Sequence, residues 1–430
     1  MENSTSQRIR RITATTLIVG IDAAKDVHWG RITDYRGIDL CKPVKVNNNI
    51  NGFESLLQKI EKLKIKHSCD KVIIGMEPSG HYWRALGWYL MLHESKPELV
   101  GVNPYHTKQT RELDDNSPSK SDPKDALIVA HLIREGRYFD MYLPAAEYAE
   151  LRILNGERQR LMKQVSRANN TIVAVMDEFF PELGKIWGRV TCPTSREIMK
   201  QYAFPDEILA ADKSALTIII KLVSNGTEGE KLANELISAA AVSVGVREGQ
   251  KSAKLKLLRL IEELEFYEAR VDVLEAELAT IMDTLELGDV LQSIKGVGPV
   301  ISAAFVGEVG DITRFSSWKQ VRKLAGLNLV EQSSGQHIGK TKVSKRGRPY
   351  LRHMLFLAGE VCVRHNPEMR QYYQYLRERR NNPLGGYAAI VAVGLKVMRI
   401  MFYMAKNKEK YNSEKALGEV RRQQIASLAA

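Results

Sequence analysis

Leu257, Leu260, Leu264, Tyr267, Val271, Leu274, Leu278, Ile281 and Leu285 recur at alternating steps of three and four residues, with Glu, Lys and Arg between them. A seam of this period specifies one long helix whose apolar stripe must be covered by another helix. Leu151, Leu154, Leu161, Val165, Ala168, Ile172, Val175 and Phe179 repeat the pattern upstream, with Arg158 filling the one gap. The simplest pairing is an antiparallel coiled-coil hairpin over 146–290. The mixed segment 181–249 between the two, with Gly226, Gly229 and Ala239 to Ala241, predicts a small helical insert. A seam this long can also pair with a second protomer. The hairpin divides the chain into a part before it, 12–145, and a part after it, 291–406, with 407–430 as a polar tail. A division of this kind suits 430 residues, too many for one typical domain.

The first part alternates strands and helices. Leu17 to Asp22 and Lys71 to Glu77 are apolar, β-branched runs that each end in an acid, and Leu99 to Asn103 is a further apolar run. Runs of this composition read as buried strands. His28 to Thr33 and Leu40 to Val46 read as two more, turned by Asp34 to Gly37, with Pro43 placing the later one at an edge. Ile50 to Lys64 is an amphipathic helix, carrying Phe53, Leu56, Leu57, Ile60 and Leu63 on one face, and Tyr82 to His93 is helical. The expected order is three strands, helix, strand, helix, strand, helices.

The last of these helices begins near Asp122, in Ser119-Lys120-Ser121-Asp122-Pro123-Lys124-Asp125-Ala126. Residues three apart share a helix face, so Asp122 and Asp125 can point at one object. Paired carboxylates repel unless something positive stands between them. Lys120 and Lys124 can supply that charge, and so can a divalent metal. An acidic first turn is also what the helix dipole favours. Strand carboxyl ends of such sheets open onto the functional crevice, where Asp22, Glu77, Asp122 and Asp125 can converge. An all-oxygen set suits Mg²⁺ or Mn²⁺, and two such ions about 4 Å apart are a common device for phosphodiester displacement. Asp26 reads as a solvated loop acid.

The strings Gly20-Ile21-Asp22-Ala23-Ala24-Lys25, Met76-Glu77-Pro78-Ser79-Gly80 and Lys120 to Ala126, in this order and spacing, resemble the DEDD transposases of the insertion sequence 110 type, with the related Piv-like invertases. That resemblance implies an RNase H-like (RuvC-like) α/β domain over 12–145, with Asp22, Glu77, Asp122 and Asp125 as catalytic metal ligands.

The part after the hairpin carries the charge. The chain has a formal net charge of +12. Residues 336–380 hold 11 Lys or Arg against Glu360, Glu368 and Glu378, so about two-thirds of the excess lies in a tenth of the chain. Such clustering marks a nucleic-acid surface, with Lys340, Lys342, Lys345, Arg346, Arg348 and Arg352 as contacts, and Lys120, beside the acids of the first part, is a further expected contact. Leu291 to Pro299 resembles a helix–hairpin–helix turn, in which Gly296 and Gly298 let backbone N–H groups approach a phosphate; an ordinary helix–helix turn fits equally. Tyr372, Tyr373 and Tyr375 either stack on unpaired bases or pack on the preceding helix.

Glu331 to Gln336 places Ser333, Ser334 and Gly335 just before this cluster. A serine needs a base or metal to take its proton and cations to hold the developing charge. His337, the one nearby candidate base, reads as a solvated loop residue. The resemblance extends here: in the transposase domain of this family a Ser-Gly ahead of a basic string supplies the nucleophile. Ser334 matches it, with Ser333 the alternative register. The implied site is composite, joining the acid-bound metal to a serine from another domain or protomer, and forms a phosphoserine–DNA intermediate.

The expectation is a DNA transposase or recombinase with an α/β RNase H-like domain, a coiled-coil hairpin and a mostly helical C-terminal domain. Its partners would be the DNA of element ends and target and, from the resemblance, an element-encoded guide RNA. It would act as a homo-oligomer, dimer or tetramer, through the hairpin. The alternatives are a RuvC-like metal-dependent junction nuclease, a protein-guided DNA invertase, and a catalytically silent nucleic-acid-binding protein. Cys41, Cys69, Cys192 and Cys362 are scattered without a C-x-x-C pair, which argues against a zinc site or disulfide framework. The polar N-terminus has no secretory signal pattern, and Tyr387 to Met404, broken by Lys396 and Arg399, reads as a buried helix. A cytoplasmic protein is expected, with no membrane partner.

Overall fold

The computed structural model describes residues 4–115, 121–224, 226, 229–331, 333–334, 337–338 and 341–429. Side chains are described for all of these except 4, 112–115, 333–334, 337–338 and 428–429. The chain divides into two compact units, Met1–Leu143 and Pro144–Ala430.

The first unit runs α1 (Ser4–Arg10), β1 (Thr16–Asp22), β2 (Val27–Thr33), β3 (Val44–Asn47), α2 (Ile50–Lys66), β4 (Lys71–Met76), α3 (Trp83–Leu92), β5 (Glu98–Val102), α4 (Pro104–Asp115), α5 (Asp122–Arg134) and β6 (Tyr138–Asp140). The six strands form one mixed sheet in the order β3-β2-β1-β4-β5-β6. β1, β4 and β5 are parallel, while β2, β3 and β6 run antiparallel to their neighbours. This arrangement is compatible with an RNase H-like domain. The central strands are buried on both faces, which explains their unbroken apolar composition. Leu17, Val19, Ile21, Ile74 and Met76 pack with α2 and α3 on one face. Ile18, Ile73, Val100 and Val102 pack with Ile128, Val129, Leu132 and Ile133 of α5 on the other.

Two details differ from the sequence expectation. The strand expected over 40–46 is shorter and later, Val44–Asn47, because Pro43 has no N–H to pair. β6 is a three-residue strand, too short to carry a periodic signal.

Among its described residues the second unit is mostly helical, with four two-residue strands. Two helices dominate it, α6 (Ala146–Phe179) and α12 (Gln250–Thr284). Leu151 shares a core with Leu278 and Met282, Arg158 binds Glu275, and Phe179 shares a core with Ala253 and Leu257. The two helices therefore run antiparallel. The intervening chain forms α7 (Leu183–Ile186), α8 (Pro193–Gln201), α9 (Pro205–Ala210), α10 (Lys213–Val223) and α11 (Gly229–Ala241), which close one end with Phe180, Phe204, Leu216 and Leu236. The seam is not uniformly buried. Tyr267 and Leu274 are half-buried, and buried Asn155 donates from Nδ2 to the Ala303 carbonyl at 2.9 Å.

Beyond it lie α13 (Gly288–Gln292), α14 (Pro299–Val309), α15 (Trp318–Leu324), the strands β7 (Leu329–Val330), β8 (Ser333–Ser334), β9 (His337–Ile338) and β10 (Lys342–Val343), then α16 (Pro349–His365), α17 (Pro367–Glu378), α18 (Gly386–Asn407), α19 (Ser413–Leu417) and α20 (Glu419–Ala429). α18 is long and apolar enough to cross a membrane by length and composition, but Val393, Val397, Met398 and Met401 lie fully buried in the core it shares with α16.

Candidate functional site

Asp22 closes β1 and Glu77 follows β4. Those strands are parallel with Ile21 opposite Met76, so the two acids leave neighbouring strands side by side, at a spacing of about 4.8 Å between strands. Both are half-buried. Side chains alternate along a strand, so Asp22 takes the face of Ile18 and Gly20, and Glu77 that of Ile73 and Gly75. That face is covered by α5.

The carrier of the other two acids lies close on the sheet because the strands have glycines beneath it. A Cβ on Gly20 would stand 2.1 Å from the Ala126 carbonyl oxygen and 2.5 Å from the Ala130 nitrogen. A Cβ on Gly75 would stand 2.4 Å from Ile133 Cδ1. Asp122 opens α5 and is exposed, whereas Asp125, one turn in, is buried at 4% exposure. The structure thus brings the helix with Asp122 and Asp125 onto the face that carries Asp22 and Glu77.

Asp125 already has a cation. Arg111 of α4 donates to it from Nε at 2.8 Å and from Nη2 at 2.7 Å. The sequence pointed to Lys120 and Lys124 for that charge; Lys120 lies outside the described residues, and Arg111 is a partner of Asp125 to which the sequence did not point. Among the described residues no three His, Cys, Asp or Glu side chains are grouped to hold a metal ion. The donor chemistry of Asp22, Glu77 and Asp122 suits a hard divalent cation. Asp125 has each of its oxygens engaged once by Arg111, which leaves a lone pair on each.

His28, which the sequence reading passed over, fastens the loop after Asp22. Its Nδ1 accepts from the Ala24 N–H at 3.1 Å. Burial pushes the imidazolium down from its ordinary value, which favours the neutral ring that can accept there. Asp26 is exposed.

In the second unit, β8 pairs with β9, setting Ser334 opposite His337 and Ser333 opposite Ile338. β7 pairs with β10, setting Val330 opposite Lys342 and Leu329 opposite Val343. The two pairings are nested in sequence and differ by one residue in register, and β8 with β9 makes a short two-stranded ribbon that carries the serines. His337 is a strand residue across from Ser334, not the loop residue expected.

The basic residues divide into two groups. Lys342, Lys345 and Arg346 are exposed. Arg348 and Arg352 are half-buried and engaged within the unit. Arg348 donates to the Glu308 carbonyl and lies 3.5 Å from its carboxylate. Arg352 donates to the carbonyls of Ala325 at 3.0 Å and Lys345 at 3.3 Å. Those two guanidinium groups fix the loop before α16. Lys340 lies outside the described residues.

The two glycines of the α13–α14 turn also differ. Gly296 has φ +98° and packs on α16, where a Cβ would meet Cys362 Cα at 3.1 Å, while the space beside Gly298 is open. Tyr372, Tyr373 and Tyr375 pack against the C-terminal core.

Two family models match the chain, and together they span more than half of it. Residues 19–181 match a transposase model of the DEDD type of IS110 elements, and residues 288–374 match the transposase model of the IS116/IS110/IS902 family. The 44.8 kDa protein of insertion element IS116 from Streptomyces clavuligerus is 22% identical over 391 residues, 91% of this chain and 94% of that one. The 43.6 kDa protein of insertion element IS110 from Streptomyces coelicolor is 24% identical over 303 residues, 70% of this chain and 74% of that one. The transposase for insertion sequence element IS1111A from Coxiella burnetii is 30% identical over 141 residues, 32% of this chain and 38% of that one. All four acids fall within the first match and the serine ribbon within the second, and the chain belongs to the IS110-type transposases, a family of enzymes that act on DNA.

Proposed function

We propose that this transposase cuts and rejoins the DNA strands of its element through a covalent phosphoserine intermediate at Ser334. The observation that carries this reading is the pairing of Asp22 and Glu77 at adjacent parallel strand ends, on the face covered by the helix that bears Asp122 and Asp125. In the strand-transfer step the Ser334 oxygen bonds to the scissile phosphorus and the bond to the leaving sugar oxygen breaks. The hydroxyl proton passes to a general base. The leaving oxygen takes a proton from water. A second attack, by the sugar hydroxyl of the new partner strand, reverses these bonds and frees the serine.

Asp22, Glu77 and Asp122 would hold a divalent cation, Mg²⁺ or Mn²⁺, which when bound supplies Lewis-acid stabilisation of the phosphoryl charge. Asp125 positions α5 through Arg111. Lys342, Lys345 and Arg346 contact nucleic-acid phosphates. In this reading 12–145 is the RNase H-like catalytic domain, α6 and α12 form a coiled-coil hairpin that joins protomers, and 291–406 is the serine-bearing domain. An element-encoded RNA that pairs with donor and target DNA would choose the sites.

The test is to co-express the protein with its flanking non-coding DNA, sequence the RNA that co-purifies, and assay recombination of the DNAs it matches. Ser334→Ala should abolish product and the denaturant-stable protein–DNA adduct, while Ser333→Ala retains both. Recombination by Ser334→Ala, or its loss only in Ser333→Ala, would overturn the assignment. A junction cleavage that survives Ser334→Ala would point to water attack.

A further inference from the structure

Away from the acids and the serine ribbon, the second unit holds a cavity of about 320 Å³ among α17, α18 and α20. Its lining includes Tyr372, Lys396, Arg399, Gly418, Glu419 and Arg421. Three cations on two separate helices meet there; Lys396 and Arg421 are half-buried, while Arg399 and the one acid, Glu419, are exposed. None of the three has a carboxylate partner among the described residues. Arg421 gives an N–H to the Gln424 side-chain oxygen at 2.7 Å, and its guanidinium lies over Tyr372 and Tyr375. Arg399 lies over Trp318 and Tyr403. Lys396 is held among these groups without an ion pair, and burial first, then Arg399 and Arg421, bring its ammonium down to about 8.

Such an arrangement is unfavourable when empty and is relieved by an anion. The start of α20 lines the same cavity, which adds the positive end of a helix to the three cations. Tyr372, nearly parallel to Tyr375 with ring centroids 6.5 Å apart, gives one flat apolar wall. Charge on several sides and an aromatic wall are what a nucleotide unit offers contacts for. A recess of this size admits one phosphate with its sugar from a flexible strand, whereas a stiff duplex rests on open surfaces.

We propose that this cavity anchors a phosphate of a single-stranded nucleic-acid segment, through Lys396, Arg399 and Arg421, against Tyr372. The proposal rests on the reading of the protein as a nucleic-acid enzyme and adds a binding subsite to it.

The full-length protein is titrated by fluorescence anisotropy with a short labelled DNA strand, an RNA strand of the same sequence and the corresponding DNA duplex, over a range of salt. Lys396→Met and Arg421→Gln should each weaken single-strand binding about tenfold. Each should lower the slope of log Kd against log salt by about 0.7. Duplex binding should be unchanged. Lys396→Met removes a half-buried charge, so equal or higher Tm certifies its fold, and Arg421→Gln, at a half-buried position on another helix, is the second probe.

Unchanged single-strand affinity and slope in both variants would overturn the proposal, as would equal loss on the duplex. Inorganic phosphate titrated alone separates the two sources of the anion. If the variants lose phosphate binding but keep strand binding, the site takes free phosphate and the strand proposal falls. Parallel loss on DNA and RNA is the expected result. Ser334→Ala, assayed alongside, should lose recombination and keep strand binding, so the cavity and the serine assignment fail separately.

Discussion

Arg111 grips Asp125 through both of its carboxylate oxygens, Nε to Oδ1 at 2.8 Å and Nη2 to Oδ2 at 2.7 Å. The carboxylate is almost wholly buried and the arginine side chain is 23% exposed. Removing one partner of a buried pair leaves an uncompensated charge and costs about 3 kcal/mol or more. Arg111→Met is expected to lower Tm by several degrees. If the acid set can use Asp125 once it is released, Mn²⁺ should restore Tm in Arg111→Met by more than it raises the wild type. Equal shifts would show that Asp125 serves only to place α5.

Gly20 should tolerate no side chain. An alanine there drives its Cβ into the backbone of α5, and backbone cannot rotate away as a flexible side chain can. The expected cost is about 2 kcal/mol, with recombination falling further than stability because the acids on α5 shift. Urea unfolding and recombination measured on Gly20→Ala check this; a variant with wild-type activity would mean that α5 is not held to its position by the strand.

The exposed and engaged cations should separate in one experiment. Lys342→Ala and Lys345→Ala are expected to weaken DNA binding, each lowering the salt slope by about 0.9 on duplex, with Tm unchanged. Arg348→Met, which releases the Glu308 carbonyl and carboxylate, is expected to lower Tm. Salt-dependent anisotropy and thermal melts read both. Loss of stability in the lysine variants would contradict their exposure.

Lys396 gives a pH prediction. Its value in the fold, about 8, lies below the ordinary 10.5. The unfolded chain therefore binds more protons between those values, and stability contributed at this site rises with pH across the window. The facing groups are Arg399 on its own helix, Tyr372 on α17, and Arg421 and Glu419 on α20. The Tm advantage of Lys396→Met over wild type should be largest at pH 7 and shrink toward pH 10. Strand affinity of the wild type should fall as pH rises through 8. A constant Tm gap would show that Lys396 is not strained by its surroundings.

Much of this was legible in the sequence, for physical reasons that differ by element. β1, β4 and β5 announce themselves because strands buried on both faces are apolar throughout. α6 and α12 announce themselves by period. The placement of Asp22 and Glu77 at strand ends and of Asp122 and Asp125 in the first turn of α5 is legible from position alone. Arg111 was not, because its partner lies 14 residues away on another helix and no local spacing couples them. Arg348 and Arg352 read as nucleic-acid contacts because a sequence displays charge; the carbonyls they also engage are visible only in the fold. The ribbon was missed because its strands are two residues long and show no alternation. His28 was missed because a lone histidine in a strand carries no pattern.

Helix α5 is at once the carrier of Asp122 and Asp125 and a slab of the interior, with Ala126, Ile128, Val129, Ala130, Leu132 and Ile133 all buried. A screen for elements that no longer jump should therefore return interior apolar positions alongside acidic ones. Many of the former should be conditional, active in the cold and silent in the warm, because a loosened α5 surrenders its grip on the acids before the sheet melts.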